Sequence, residues 1–175
     1  MVLDILKSFD FSNAAKIEIS NIEFEPPLLE LCKLNSCGNY GKNYTCPPLV
    51  GRCEDLIANA KTYKYALVFQ KIYSIEDSFD IEGMGKARID FRDLTLAVNS
   101  ALDGKVQNYK ILSAGGCSLC KECGAVTNTP CRFPKTAFAS LEAYGINVSK
   151  LAAISGMKYI NGQNTVTYFG AVLFN

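Results

Sequence analysis

"KYALVFQKIY", residues 64–73, holds an unbroken apolar run from Tyr65 to Phe69, rich in aromatic and branched side chains. A strand with one wet face alternates apolar and polar residues, whereas a continuous run marks a strand covered on both faces. Downstream, Ala87, Phe91, Leu94, Val98, Ala101 and Leu102 recur at three- and four-residue steps. That period predicts a helix from Gly83 to Gly104, with Gly104 as its stop. "NYKILSAGG" (108–116) reads as a second strand ending in a glycine turn. "PKTAFASLEAYGINV" (134–148) predicts a helix opening at Pro134 and closing at Gly145. "NTVTYFGAVLF" (164–174) predicts a third strand, and "KIEIS" (16–20) an edge strand. Strand, helix, strand, helix, strand predicts an α/β fold: one domain over residues 1–175, with a small, largely parallel sheet flanked by helices.

A chain of 175 residues suffices for one sizeable core. Its 18 basic and 17 acidic residues nearly cancel, so no charge excess points to nucleic acid or an anionic membrane. "MVLDILKSFDFSN" lacks the basic start and apolar run of a secretion signal, and no segment is apolar enough for a membrane helix. The expectation is a cytoplasmic protein. Histidine is absent altogether. That removes His-containing zinc fingers, His-ligated haem or copper, and every Ser-His or Cys-His catalytic pair.

What remains is thiol chemistry. The eight cysteines fall into two loops, 32–53 and 117–131. Cys117, Cys120 and Cys123 stand two residues apart, and Cys131 follows seven residues later. Three thiols at such gaps let one tight loop hold three corners of a 4Fe–4S cluster, with a distal cysteine for the fourth. Structural zinc instead takes two separated C-x2-C knuckles. Disulfides suit neither a reducing compartment nor a chain that needs no staples. Gly115 and Gly116 allow close backbone approach to an anionic cofactor, as does Gly124. The helix expected at Pro134 aims its N-terminus at Cys131.

Cys32, Cys37, Cys46 and Cys53 are more loosely spaced, and their setting says more than their gaps. "CGNYGKNYTCPP" is rich in glycine and asparagine, predicting an ordered loop rather than a helix or strand. Pro47 and Pro48 hold Cys46 extended, and Cys53 stands at the head of a helix. Tyr40 and Tyr44 lie between these ligands, placed to shield a cluster or line an opening. Which cysteines share a cluster is open, since exchanging Cys46 with Cys131 has precedent in two-cluster ferredoxins.

Together, "CxxxxCGNYGKNYTCPP", "GGCxxCxxC", "CRFP" and "SLEAYGINV" resemble a family of cysteine-rich, predicted metal-binding proteins, mainly from archaea and anaerobic bacteria. The resemblance runs from about Cys32 to the C-terminus, with all eight cysteine positions filled, and implies metal binding, most simply iron–sulfur. It brings no reaction with it.

"GMGKAR" (83–88) is too short for a phosphate loop and fits a helix start better. The expectation is two iron–sulfur clusters, 4Fe–4S in type, passing electrons to a protein partner in anaerobic metabolism. The alternatives are a cysteine-ligated zinc module for protein interaction and an iron–sulfur enzyme with one open iron.

Overall fold

The computed structural model describes residues 1–175. Its sheet contains β1 (Asn13–Glu18), β2 (Tyr65–Ser74), β3 (Tyr109–Leu112) and β4 (Thr165–Phe174). The spatial order is β1-β2-β4-β3, and every neighbouring pair is antiparallel. The largely parallel sheet expected from the sequence is therefore wrong. The helical crossover between β2 and β3 does leave those two strands pointing the same way. β4 inserts between them and opposes both, so no parallel pair forms.

The helices are α1 (Val2–Leu6), α2 (Leu28–Lys33), α3 (Cys53–Ala60), α4 (Ile81–Leu102) and α5 (Val148–Ile154). α4 follows the apolar period noted above, and the Asp80 carboxylate caps it, accepting the Gly83 N–H at 2.7 Å. Its buried side, with Phe91, Val98 and Leu102, packs with α1 on Leu67 and Phe69 of β2 and Val172 and Phe174 of β4. The opposite face, with Ala66, Val68, Phe169, Ala171 and Leu173, packs against residues 139–152 and the end of α3. Coverage on both sides explains why Ala66 to Gln70 are all buried. A continuous apolar run reports two covered faces and not strand direction.

At the sheet centre Gly170 is required: a Cβ there would lie 2.5 Å from the Phe69 ring.

The helix expected over 134–145 does not form. A turn follows Phe133, whose carbonyl accepts from the Thr136 and Ala137 amides. The chain then runs extended beside β3, with Ser113 N–H bonded to Ala139 and Leu141 N–H bonded back to Ser113. A single 3-10 turn, Glu142–Tyr144, closes at Gly145 with φ +67°. Leu141, Ala143, Tyr144 and Ile146 are all buried, a spacing that one helical stripe cannot place on a single face. Burial overrode the helical pattern here.

Candidate metal centre

The second cysteine loop leaves the end of β3 through Gly115, whose φ of +64° is the left-handed region glycine occupies freely. A Cβ on Gly116 would stand 3.0 Å from the Asn39 side chain, so the first loop lies directly on this turn. Beyond Cys123 the chain makes a 3-10 turn, Gly124–Thr127, and reverses at Asn128, φ +54°. Gly124 is confined by the returning strand: a Cβ would lie 2.5 Å from the Thr129 carbonyl oxygen. This reversal brings Cys131 back to its sequence neighbours. Cys117, Cys120, Cys123 and Cys131 all line one narrow cavity, together with Asn43, Tyr44 and Thr45 of the first loop.

Burial raises the Cys117 pKa most, opposed by an N–H from Leu119; the charges of Cys131, Cys120 and Cys123 raise it further. Cys131 thus shares a cavity with its sequence neighbours Cys117, Cys120 and Cys123.

The two loops are joined through the Cys117 peptide. Its N–H donates to Thr45 Oγ1 at 3.0 Å, and its carbonyl accepts from Asn43 Nδ2 at 2.9 Å. Asn43 Oδ1 in turn accepts from both the N–H and the hydroxyl of Thr45, at 3.1 and 3.0 Å. Asn43 and Thr45 are both buried. Nearby, the Tyr44 hydroxyl donates to the Thr129 carbonyl at 2.8 Å.

In the first set, Cys32 belongs to the last turn of α2 and not to the loop expected there. Cys37 is exposed, and Cys46 is partly buried. Burial pushes the Cys46 thiol up to about 11, and the charges of Cys37, Cys32 and Cys117 act in the same direction. Cys32, Cys37 and Cys46 therefore sit within electrostatic reach of one another, and of the second set through Cys117. Cys53 stands apart. It is buried at the first residue of α3, where burial and then the neighbouring Glu54 charge raise its pKa. It opens towards a surface cleft lined by Tyr40, Pro47 and Pro48. Tyr40 thus faces away from the cavity that Tyr44 helps to line.

Lys121 and Arg132 are exposed, Arg132 at the rim of the second set's cavity. No helix points its N-terminus at Cys131, because the chain after Phe133 forms only a turn.

The sequence reading passed over Asn43 and Thr45, and gave Glu142 no more than a solvated or helix-terminal role. Two buried polar residues beside a cysteine in "NYTC" are the available sign of the first pair. Glu142 lies where the 3-10 turn meets α2, close enough for its charge to act on Cys32. It is exposed as a whole residue, but its carboxyl end is crowded, and burial there raises its pKa.

No three thiol or carboxylate side chains stand at the spacing a single metal ion requires. A tetrahedral zinc draws its sulfurs to roughly 3.8 Å from one another, given Zn–S bonds of ~2.3 Å. A four-iron cluster gives each thiolate its own iron and sets the sulfurs further apart. Four thiols around a shared cavity are a donor set for a thiolate-bound metal centre.

Two interlocked thiol-rich loops on an antiparallel α/β scaffold define a cysteine-rich protein built to hold metal. The profile of DUF2284, a family described as predicted metal-binding proteins, matches residues 15–174, and the chain belongs to that family. No curated protein and no solved structure matches it. No helix is long and apolar enough to cross a membrane.

Proposed function

We propose that the two cysteine sets hold two iron–sulfur clusters of the 4Fe–4S type, and that the protein passes single electrons to a protein partner. The observation that carries this reading is the cavity shared by Cys117, Cys120, Cys123 and Cys131. A C-x2-C-x2-C loop with a distal cysteine is a ligand set for such a cluster. The first set, Cys32, Cys37, Cys46 and Cys53, takes the second cluster. Closeness of the sets, through Cys46 and Cys117, supports passage of an electron between them. In this reading the clusters supply the redox chemistry. The chain supplies eight thiolates, the Asn43–Thr45 join that fixes one loop against the other, and Tyr44 as a cover.

Anaerobic purification, iron and acid-labile sulfide assays, and EPR after dithionite test it. The expected result is a brown protein with about eight iron and eight sulfide per chain, and a reduced-cluster EPR signal. A colourless protein with stoichiometric zinc and no sulfide would favour the zinc module and overturn the reading.

The burial of Cys53 at the head of α3 favours a second reading, in which Cys32, Cys37 and Cys46 would hold a cluster with one iron left without a thiolate. An open iron acts as a Lewis acid, which makes the protein an enzyme rather than a carrier. Cys53→Ser decides between them. Loss of iron from the first set supports eight thiolate ligands, and unchanged iron supports the open corner.

A further inference from the structure

A second cleft, which shares Cys117 with the thiol cavity, lies between α4 and the turn that follows β3. Arg88 and Arg92, one helical turn apart on α4, form one wall. The turn at Gly115 and Gly116, together with Ser113 and Thr136, forms the other. No aspartate or glutamate lines the cleft.

Its donors are largely uncommitted. Arg88 makes no ion pair or hydrogen bond within the chain, although its charge lowers the pKa of nearby Tyr168 against the larger effect of burial. Arg92 is two-thirds buried and is anchored from outside the cleft by Asp93, while its Nη1 donates to the Ser118 carbonyl at 3.0 Å. The Ser113 and Thr136 hydroxyls have no partner, and neither do the amides of Gly115 and Gly116. A left-handed residue in a short turn directs successive amides to one side, an arrangement that makes anion-binding concavities.

We propose that this cleft binds a small oxyanion, no larger than phosphate, beside Cys117. Arg88 supplies the charge, and Thr136 and the glycine amides supply directional hydrogen bonds. A guanidinium at such a site recognises two oxygens at once, which suits a carboxylate, sulfite or phosphate group. The proposal goes beyond electron carriage: it gives the protein a small-molecule site one residue from a metal ligand. It does not depend on which metal Cys117 holds.

The test is anaerobic calorimetric titration of the metal-loaded protein with inorganic phosphate, sulfite and acetate, over a chloride background of matched ionic strength. Saturable binding of at least one anion is expected. Arg88→Gln should weaken it by about ten- to a hundredfold, and Thr136→Val to a lesser degree. Iron is assayed on the same samples, so that a failure of the cluster reading registers separately. Absence of saturable binding by the wild-type chain overturns the proposal. So does an R88Q variant that binds as tightly as wild type. A shift in cluster reduction potential in R88Q without any anion binding would assign the arginine to charge balance at the cluster instead, and also overturns it.

Discussion

Replacing Thr45 by valine removes one oxygen atom from the join between the two cysteine loops and leaves the side-chain shape nearly intact. That oxygen accepts the Cys117 N–H at 3.0 Å and donates to Asn43 Oδ1 at 3.0 Å. Asn43 Oδ1 keeps the backbone N–H of residue 45 as a donor, so it is not stranded. The Cys117 N–H, partly buried, loses its only partner, and an unmet donor of this kind costs at most about 1–3 kcal/mol. For a chain of this size each kcal/mol corresponds to ~2–4 °C in Tm, so T45V should melt roughly 2–12 °C lower. Circular dichroism against temperature measures this, with Thr45→Ser as the partner variant because it restores the hydroxyl. T45V should also lose iron to a chelator faster than wild type, and T45S should recover most of both effects. A T45V protein that melts within about 1 °C of wild type and holds its metal equally well would refute the role assigned to the join.

Three further outcomes are expected. Cys120→Ser should halve the iron content and leave the first set's EPR signal in place; loss of all iron would mean that the sets do not load as separate centres. Gly124→Ala puts a Cβ where the Thr129 carbonyl stands, 2.5 Å away, so the reversal that returns Cys131 must open. Overpacking of this kind costs about 1–3 kcal/mol, and iron analysis should show selective loss from the second set. In the metal-free chain, burial holds the Cys46 thiol protonated, with a pKa of about 11 against about 9 for an ordinary thiol. A raised pKa means that the folded state binds the proton more tightly, so this contribution is intact below the ordinary thiol pKa and lost as pH rises through about 11. Denaturation midpoints of the metal-free chain should therefore fall between pH ~9 and ~11, and Cys46→Ser should flatten that fall; an equal fall in both proteins would remove Cys46 as its cause.

Features encoded locally were legible before the structure. α4 follows directly from its apolar period, β2 and β4 from their apolar runs, and the head of α3 at Cys53 from its setting. Sheet topology was not legible. A crossover helix between two strands implies that they share a direction, but nothing in residues 64–112 reveals that residues 165–174 will lie between them. The segment from Pro134 to Gly145 misled for a different reason. Its composition suits a helix, but four closely spaced side chains, from Leu141 to Ile146, are drawn into the core and tertiary burial prevailed. At the candidate centre the cysteines were visible as a pattern, and their local grouping was the simplest arrangement. The join through Asn43 and Thr45 was invisible because it spans more than seventy residues of chain.

The insertion of β4 has a consequence for how the protein is made. β2 and β3 are held together in the sheet only through β4, which follows every other strand and helix in the chain. On the ribosome both cysteine loops emerge before the strand that unites their supports, so the thiols first stand on an unfinished scaffold. Any premature stop before Thr165 removes the strand that β3 pairs with in the sheet and leaves the second loop without its base. Completion of the sheet is thus the last step in building the support on which both thiol sets sit.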